Sequence, residues 1–261
     1  MIGQDNLKKA FKARDEFPPL IVLIGADGCG KTTAARYIAN EASAKAFYIS
    51  GNKIDEVRET VEQAYSQVAN VFYFFKNAQD MTMQAQNVLL KLTEEPPHKA
   101  KVIISVNDKS NILLTLLSRA FVYNFMPYSN TELTQFATAE GLKYEDDILL
   151  VARTPGDLKL IQTFNFGEML DGIIDFIRHK KIIKGLALVK KLKLKEDDEG
   201  YDVLLFLRAF EIYLQRLIKD NIEGVHKALC KISGVRQALN YTGVNKKMLL
   251  ENLTLEIMEG L

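Results

Sequence analysis

The stretch GADGCGKT, residues 25–32, places glycines, a lysine and a threonine at the spacing G-x-x-x-x-G-K-[ST]. Gly25, Gly28 and Gly30 let the backbone turn so that N–H groups aim at phosphate oxygens. Lys31 adds a charge, and Thr32, followed by Thr33, supplies the hydroxyl that ordinarily ligates Mg²⁺. The chemistry of such a loop is to hold a nucleotide's phosphate chain. Cys29 is a filler whose backbone N–H serves the turn, not a redox residue. A second stretch, VFYFFKNAQDMT at 71–82, raises the question of hydrolysis. After a phosphate loop an apolar run of this kind usually ends in acidic residues, but here Lys76 and Asn77 follow Phe75.

The elements around these residues read as alternating strands and helices. LIVLIG at 20–25 has no polar residue, as expected of a central parallel strand covered on both faces. KTTAARYIANEASAKA continues as a helix, and FYIS at 47–50 is a second strand. IDEVRETVEQAYSQV at 54–68 is helical, with Ile54, Val57, Val61, Ala64 and Val68 on one face. VFYFF is the third strand and KVIISV at 101–106 the fourth. Between them TMQAQNVLLKLTEE, 82–95, is a helix opened by Thr82 and closed by the prolines at 96–97. The alternation predicts a parallel α/β sheet with helices on both faces. It stops near Pro127. Residues 129–164 form a short helical unit in which Thr154–Pro155–Gly156 opens the last helix, and everything from about 165 onward is expected to be helix.

Composition narrows the function class. The chain has 261 residues, is 48% hydrophobic and carries a formal net charge of +1, so nothing in bulk draws it to DNA or membrane. No apolar stretch approaches the ~20 residues of a membrane helix, and the N-terminus has no apolar leader, so the expectation is a cytoplasmic protein. Its two cysteines, Cys29 and Cys230, lie far apart and argue against a disulfide framework or a structural zinc site.

Several stretches together resemble the clamp-loader branch of the AAA+ P-loop ATPases, with the delta-prime type of DNA polymerase III subunit as the nearest pattern. IGQ at 2–4 is similar to the family's opening motif and residues 25–32 to its Walker A loop. NAQDMTMQAQNVLLKLTEEPP at 77–97 is similar to its signature helix, and VND at 106–108 to its sensor 1 strand. LLTLLSRA at 113–120 resembles the Ser-Arg-Cys motif, TPGDLKLI at 154–161 the sensor 2 helix, and NKKMLLENLTLEI at 245–257 the last collar helix. The resemblance implies an AAA+ α/β domain over 1–127, a small helical lid over 128–165 and an all-helical oligomerisation collar over 166–261. Many relatives insert a cysteine-rich zinc module after the phosphate loop, which this chain lacks. Ala120 replaces the motif's cysteine, and Lys159 stands where sensor 2 is usually arginine.

By the same resemblance, an active member has an aspartate at position 76 to hold Mg²⁺ and a glutamate at 77 to orient water. Two unit charges ~5 Å apart at an effective dielectric of ~20 interact by roughly 3 kcal/mol, so an ammonium there turns attraction for a divalent ion into repulsion. Asn77 accepts no proton, and losing a general base costs on the order of 10²–10⁴ in rate. ATP or ADP without well-held Mg²⁺ is the expected ligand, with Asn107 and Lys159 as further phosphate contacts. Arg119, beside Ser118, is the catalytic candidate, acting in trans as an arginine finger on a neighbour's nucleotide; the bland reading has it neutralise a helix end. Thr82, Gln84 and Gln86 at a helix start are candidate DNA contacts, against ordinary capping. Other clamp-loader subunits, a sliding clamp and primer-template DNA are the partners that the resemblance implies. Open beside this reading stand an active ATPase with unconventional metal ligands and a scaffold that binds no nucleotide.

Overall fold

The computed structural model describes residues 2–12, 16–49, 53–195, 201–218, 225–239 and 243–260. They group into two compact units, Met1–Glu132 with Thr154–Gly156, and Leu133–Arg153 with Asp157–Leu261.

In chain order the first unit contains α1 (Asp5–Phe11), β1 (Leu20–Ile24), α2 (Lys31–Glu41), β2 (Lys45–Ile49), α3 (Ile54–Tyr65) and β3 (Val71–Phe75). After these come α4 (Met83–Glu94), β4 (Ala100–Val106), α5 (Leu114–Leu117) and β5 (Phe121–Asn124). The five strands form one parallel sheet in the order β2-β3-β4-β1-β5. The strand predicted at 47–50 is β2, with Ser50 outside the described residues. The fifth strand goes beyond the four that the sequence pattern predicts; it closes the sheet on the far side of β1.

Side chains alternate across a strand with period two, and here both sets are apolar. Leu20, Val22, Ile24, Tyr73, Phe75, Val102 and Ile104 pack on one face with Val57 and Val61 of α3 and Leu89 and Leu92 of α4. Ile21, Leu23, Phe72, Phe74 and Ile103 pack on the other with Leu7 and Phe11 of α1 and Ile38 of α2. Burying each such side chain contributes about 1.5–3 kcal/mol, so the two layers fix the strand register firmly. Val68, expected on the apolar face of the helix after β2, lies beyond the end of α3 and is 90% exposed. The apolar spacing there outruns the helix itself.

Further on lie α6 (Asn130–Ala139), α7 (Asp146–Val151), α8 (Pro155–Ile161), α9 (Phe166–His179) and α10 (Ile182–Lys190). They are followed by β6 (Leu192–Lys193), β7 (Tyr201–Asp202), α11 (Val203–Ile218), α12 (Val225–Ala238) and α13 (Lys246–Gly260). The proline at the first position of α8 suits a helix start, where no intrahelical N–H partner is needed. The all-helical expectation beyond 165 is corrected by β6 and β7, which pair in parallel as a two-stranded ribbon. Within the second unit α11 packs on α12, and α12 on α13, through faces that include Leu214, Ile232 and Leu253. Arg208 reaches Asp157 at 2.6 Å and the carbonyl of Val151 at 3.1 Å, with both charged side chains largely covered. No described helix is long and apolar enough to cross a membrane.

Candidate functional site

The sheet order sets β3, β4 and β1 side by side, so the segments that follow them meet at one edge of the first unit, where parallel α/β sheets place their sites. Ile24 is in register with Val106, and the Gly25 amide donates to the Val106 carbonyl at 3.1 Å. The phosphate loop and Asn107 therefore leave their strands abreast. Phe75 is in register with Ile104, which sets Lys76 level with Ser105.

The loop turns from β1 into α2 through Gly28 at φ +76° and Gly30 at φ +98°, a region that side chains other than glycine enter at a cost. A Cβ on Gly28 would also meet Thr154 Oγ1 at 2.7 Å and the Cα of Gly156 at 2.8 Å. The Gly156 amide donates to the Gly28 carbonyl at 3.0 Å, and the Tyr128 hydroxyl donates to the Cys29 carbonyl at 2.7 Å. These bonds occupy the carbonyls of Gly28 and Cys29. The loop's amides at the start of α2 stand where a helix leaves N–H groups without intrahelical partners. The Cys29 thiol is buried, which pushes its pKa up to about 11 despite nearby Lys31, so it stays protonated and unreactive at neutral pH. Burial also pushes the Tyr128 phenol up to about 12, keeping it a donor.

Lys31 is 8% exposed, rare for a lysine, and its ammonium is satisfied locally. It donates to the Gly25 carbonyl at 2.6 Å, to Asn107 Oδ1 at 2.7 Å and to the Ala26 carbonyl at 3.2 Å. Asp27 Oδ1 lies 3.6 Å from the same ammonium, and Asp27 Oδ2 accepts from Asn107 Nδ2 at 3.1 Å. Of the nucleotide-contact residues expected from the sequence, Gly25, Gly28, Cys29, Gly30, Lys31, Thr32, Thr33 and Asn107 come together here. Lys159 belongs to the second unit, where it pairs with Glu140 at 2.7 Å and lies over the Phe136 ring. Motif spacing does not single out Asp27; a carboxylate at a variable position of the motif carries no spacing signal.

At the end of β3, Lys76 is exposed and Asn77 adopts the left-handed conformation, φ 56° and ψ 51°. Asparagine enters that region more readily than most residues, so Asn77 has a backbone reason to be there. Its amide donates to the buried Ser105 hydroxyl at 3.2 Å. Asp80 ends the 3₁₀ turn Ala78–Asp80 and is exposed. Tested against these residues, a phosphate chain fits: there are left-handed glycines, a lysine and a helix start. A divalent cation fits poorly, because the hydroxyl of Thr32 has no acidic partner at position 76 or 77. Among the described residues no cluster of His, Cys, Asp or Glu is arranged to hold a metal ion.

Thr82 caps α4, its hydroxyl accepting from the Ala85 amide at 3.2 Å, and Gln84 is exposed beside it. A groove of about 570 Å³ between α3 and α4 is lined by Ile54, Arg58, Gln84, Asn87 and Val88. Gln86 sits differently. It is 5% exposed, donates to the Asn111 carbonyl at 3.0 Å and accepts from the Leu113 amide at 2.9 Å. Both ends of its amide hold the segment that leads into α5, so a buried structural role replaces the expected DNA contact at this residue. Arg119, just past α5, is exposed, and its Nη1 donates to the Thr115 carbonyl at 3.0 Å. One donor thus serves the helix end while the guanidinium stays at the surface.

The family model described as DNA polymerase III, delta subunit, matches residues 26–129, the stretch that carries the phosphate loop and the end of β3. A replication factor C small subunit of Natronomonas pharaonis is 26% identical over 197 residues, covering 67% of this chain and 60% of that protein. A DNA polymerase III subunit gamma/tau of Mycoplasma pneumoniae is 26% identical over 226 residues, covering 73% of this chain and 32% of that protein. The chain thus spans less than two thirds of the length of either relative. Among solved structures, a DNA polymerase III gamma-subunit-related protein of Thermotoga maritima superposes with a TM-score of 0.52 at 16% identity, covering 98% of both chains. A RuvB variant of the same organism superposes at 0.53 with 21% identity, covering 97% of this chain and 87% of that one. These superpositions bear on the fold.

Proposed function

We propose that this chain, which is similar to clamp-loader AAA+ proteins, is a replication subunit of the delta-prime type that holds a nucleotide without hydrolysing it. The observation that carries the proposal is the pairing at one sheet edge of a fully built phosphate loop around Lys31 with a strand end bearing Lys76 and Asn77. The loop binds the phosphates of ATP or ADP. The strand end offers no carboxylate to hold Mg²⁺ or accept a proton from water.

Such a subunit serves its neighbours. Arg119 is the residue with which it does so, as an arginine finger directed at the nucleotide of an adjacent subunit; its exposure beyond α5 supports that role. The start of α4, with Thr82, Gln84 and the adjacent Arg58, is the surface offered to template phosphates. Residues 128–165 act as a lid and 166–261 as the collar that joins other subunits, where Ile183 and Met248 leave apolar surface exposed. In the assembled loader, in the cytoplasm, the chain helps place a sliding clamp on primed DNA.

The test is Arg119→Ala in a reconstituted loader. Clamp- and DNA-stimulated ATP turnover is expected to fall by about 10³-fold, the scale of arginine fingers in phosphoryl transfer. The variant chain should still fold and bind nucleotide as before. Unchanged stimulated turnover refutes the finger.

A further inference from the structure

We infer that Asp27 makes this loop discriminate against a terminal phosphate, so that the site takes a nucleoside diphosphate in preference to a triphosphate. The inference rests on the reading of residues 25–32 as a nucleotide loop and specifies which nucleotide it keeps.

Asp27 is a carboxylate inside the phosphate loop itself, and its two oxygens are both turned to groups on the far side of the cradle. One lies 3.6 Å from the Lys31 ammonium and the other accepts from Asn107 Nδ2 at 3.1 Å. Lys31 in turn donates to Asn107 Oδ1 at 2.7 Å, so three side chains close a ring. The lysine of such a loop reaches the β- and γ-phosphates. Asn107 follows the end of β4, abreast of the loop's first glycine, so the ring closes on the lysine that a last phosphate would have to reach. A diphosphate ends at Lys31 and needs only to draw the ammonium off its local acceptors. A triphosphate must also part Asp27 from Asn107 and then lie against the carboxylate. A bound cation would bridge two such anions, but the strand end at Lys76 and Asn77 supplies no acid to hold one.

The ring also lowers apparent affinity in proportion to the fraction of time it stays closed. Asp27 is 80% exposed, so water screens its charge and the effect belongs at the modest end of the electrostatic range.

The purified chain is loaded with a fluorescent ADP in buffer containing EDTA and competed with ADP and with ATP. Wild type, Asp27→Asn, Asp27→Ala and Lys31→Ala are compared, each checked by thermal melting. The wild type is expected to prefer ADP over ATP by about fivefold, the upper end for a single screened charge contact. Asp27→Asn, which keeps a partner for Asn107 and removes only the charge, brings the two nucleotides to within about twofold, chiefly by tightening ATP. Asp27→Ala does the same, and Lys31→Ala weakens both. If the ADP:ATP ratio is the same in wild type and both Asp27 variants, the carboxylate merely seats Lys31 and the inference falls, while Lys31-dependent binding leaves the nucleotide reading standing. If neither wild type nor Asp27→Asn binds any nucleotide, both fall together.

Discussion

The phosphate loop and the end of β3 lie at the same sheet edge, separated by β4, and they have kept different things. The loop has kept its chemistry: glycines at positive φ, a buried lysine and a helix start. The strand end has a firmly anchored backbone but no carboxylate at positions 76 and 77. Phe75 and Ala78 are fully buried, the Asn77 amide is anchored on Ser105, and Met81 packs into the same layer. Between these anchors the two reactive positions carry an exposed ammonium and a left-handed asparagine. The scaffold of this strand end is therefore separable from its side-chain chemistry, because packing and hydrogen bonding to the backbone do not depend on what the side chains at 76 and 77 can do.

That contrast is open to direct attack. The largest expected effect comes from the loop: Lys31→Ala removes charge-assisted hydrogen bonds to phosphate, about 3 kcal/mol or 100-fold in nucleotide affinity, measured by fluorescence titration. Next is the strand end. Lys76→Asp with Asn77→Glu should make nucleotide binding respond to Mg²⁺ by about tenfold or more, where wild type responds little, since the double change turns repulsion of the cation into attraction. The smallest effect tests the backbone alone. Asn77→Val forces a β-branched residue into the left-handed region and should destabilise the chain by about 1–2 kcal/mol in denaturant unfolding, while Asn77→Gly stays within a few tenths. If valine is as well tolerated as glycine, the asparagine has no conformational role and the contrast loses its physical basis.

How far the molecule is legible from the chain itself follows the same division. The phosphate loop has a spacing and a strand-to-helix context, and both are visible in residues 20–41. The strands β1, β3 and β4 stand out because parallel strands buried on both faces are nearly unbroken apolar runs, and half-exposed β2 stands out only through the short run FYIS. The fifth, Phe121–Asn124, follows directly on LLTLLSRA with no glycine or proline to mark a new element, so its apolar residues merge with those of α5. Leu192–Lys193 looks like more of a lysine-rich helix until its pairing with Tyr201–Asp202 is seen. Asp27, the Gln86 clamp on Asn111 and Leu113, and the left-handed Asn77 depend on contacts or dihedrals to which spacing along the chain is blind. Pattern finds what the backbone repeats; it misses what single side chains do across the fold.

The central claim is that this chain holds a nucleotide and does not hydrolyse it. Phosphate release from labelled ATP by the purified chain, with Mg²⁺ present, tests it directly against Lys31→Ala as background. Wild type and Lys31→Ala are expected to release phosphate at the same rate although the wild type binds nucleotide about 100-fold more tightly; Mg²⁺-stimulated release by the wild type that vanishes in Lys31→Ala would contradict the claim.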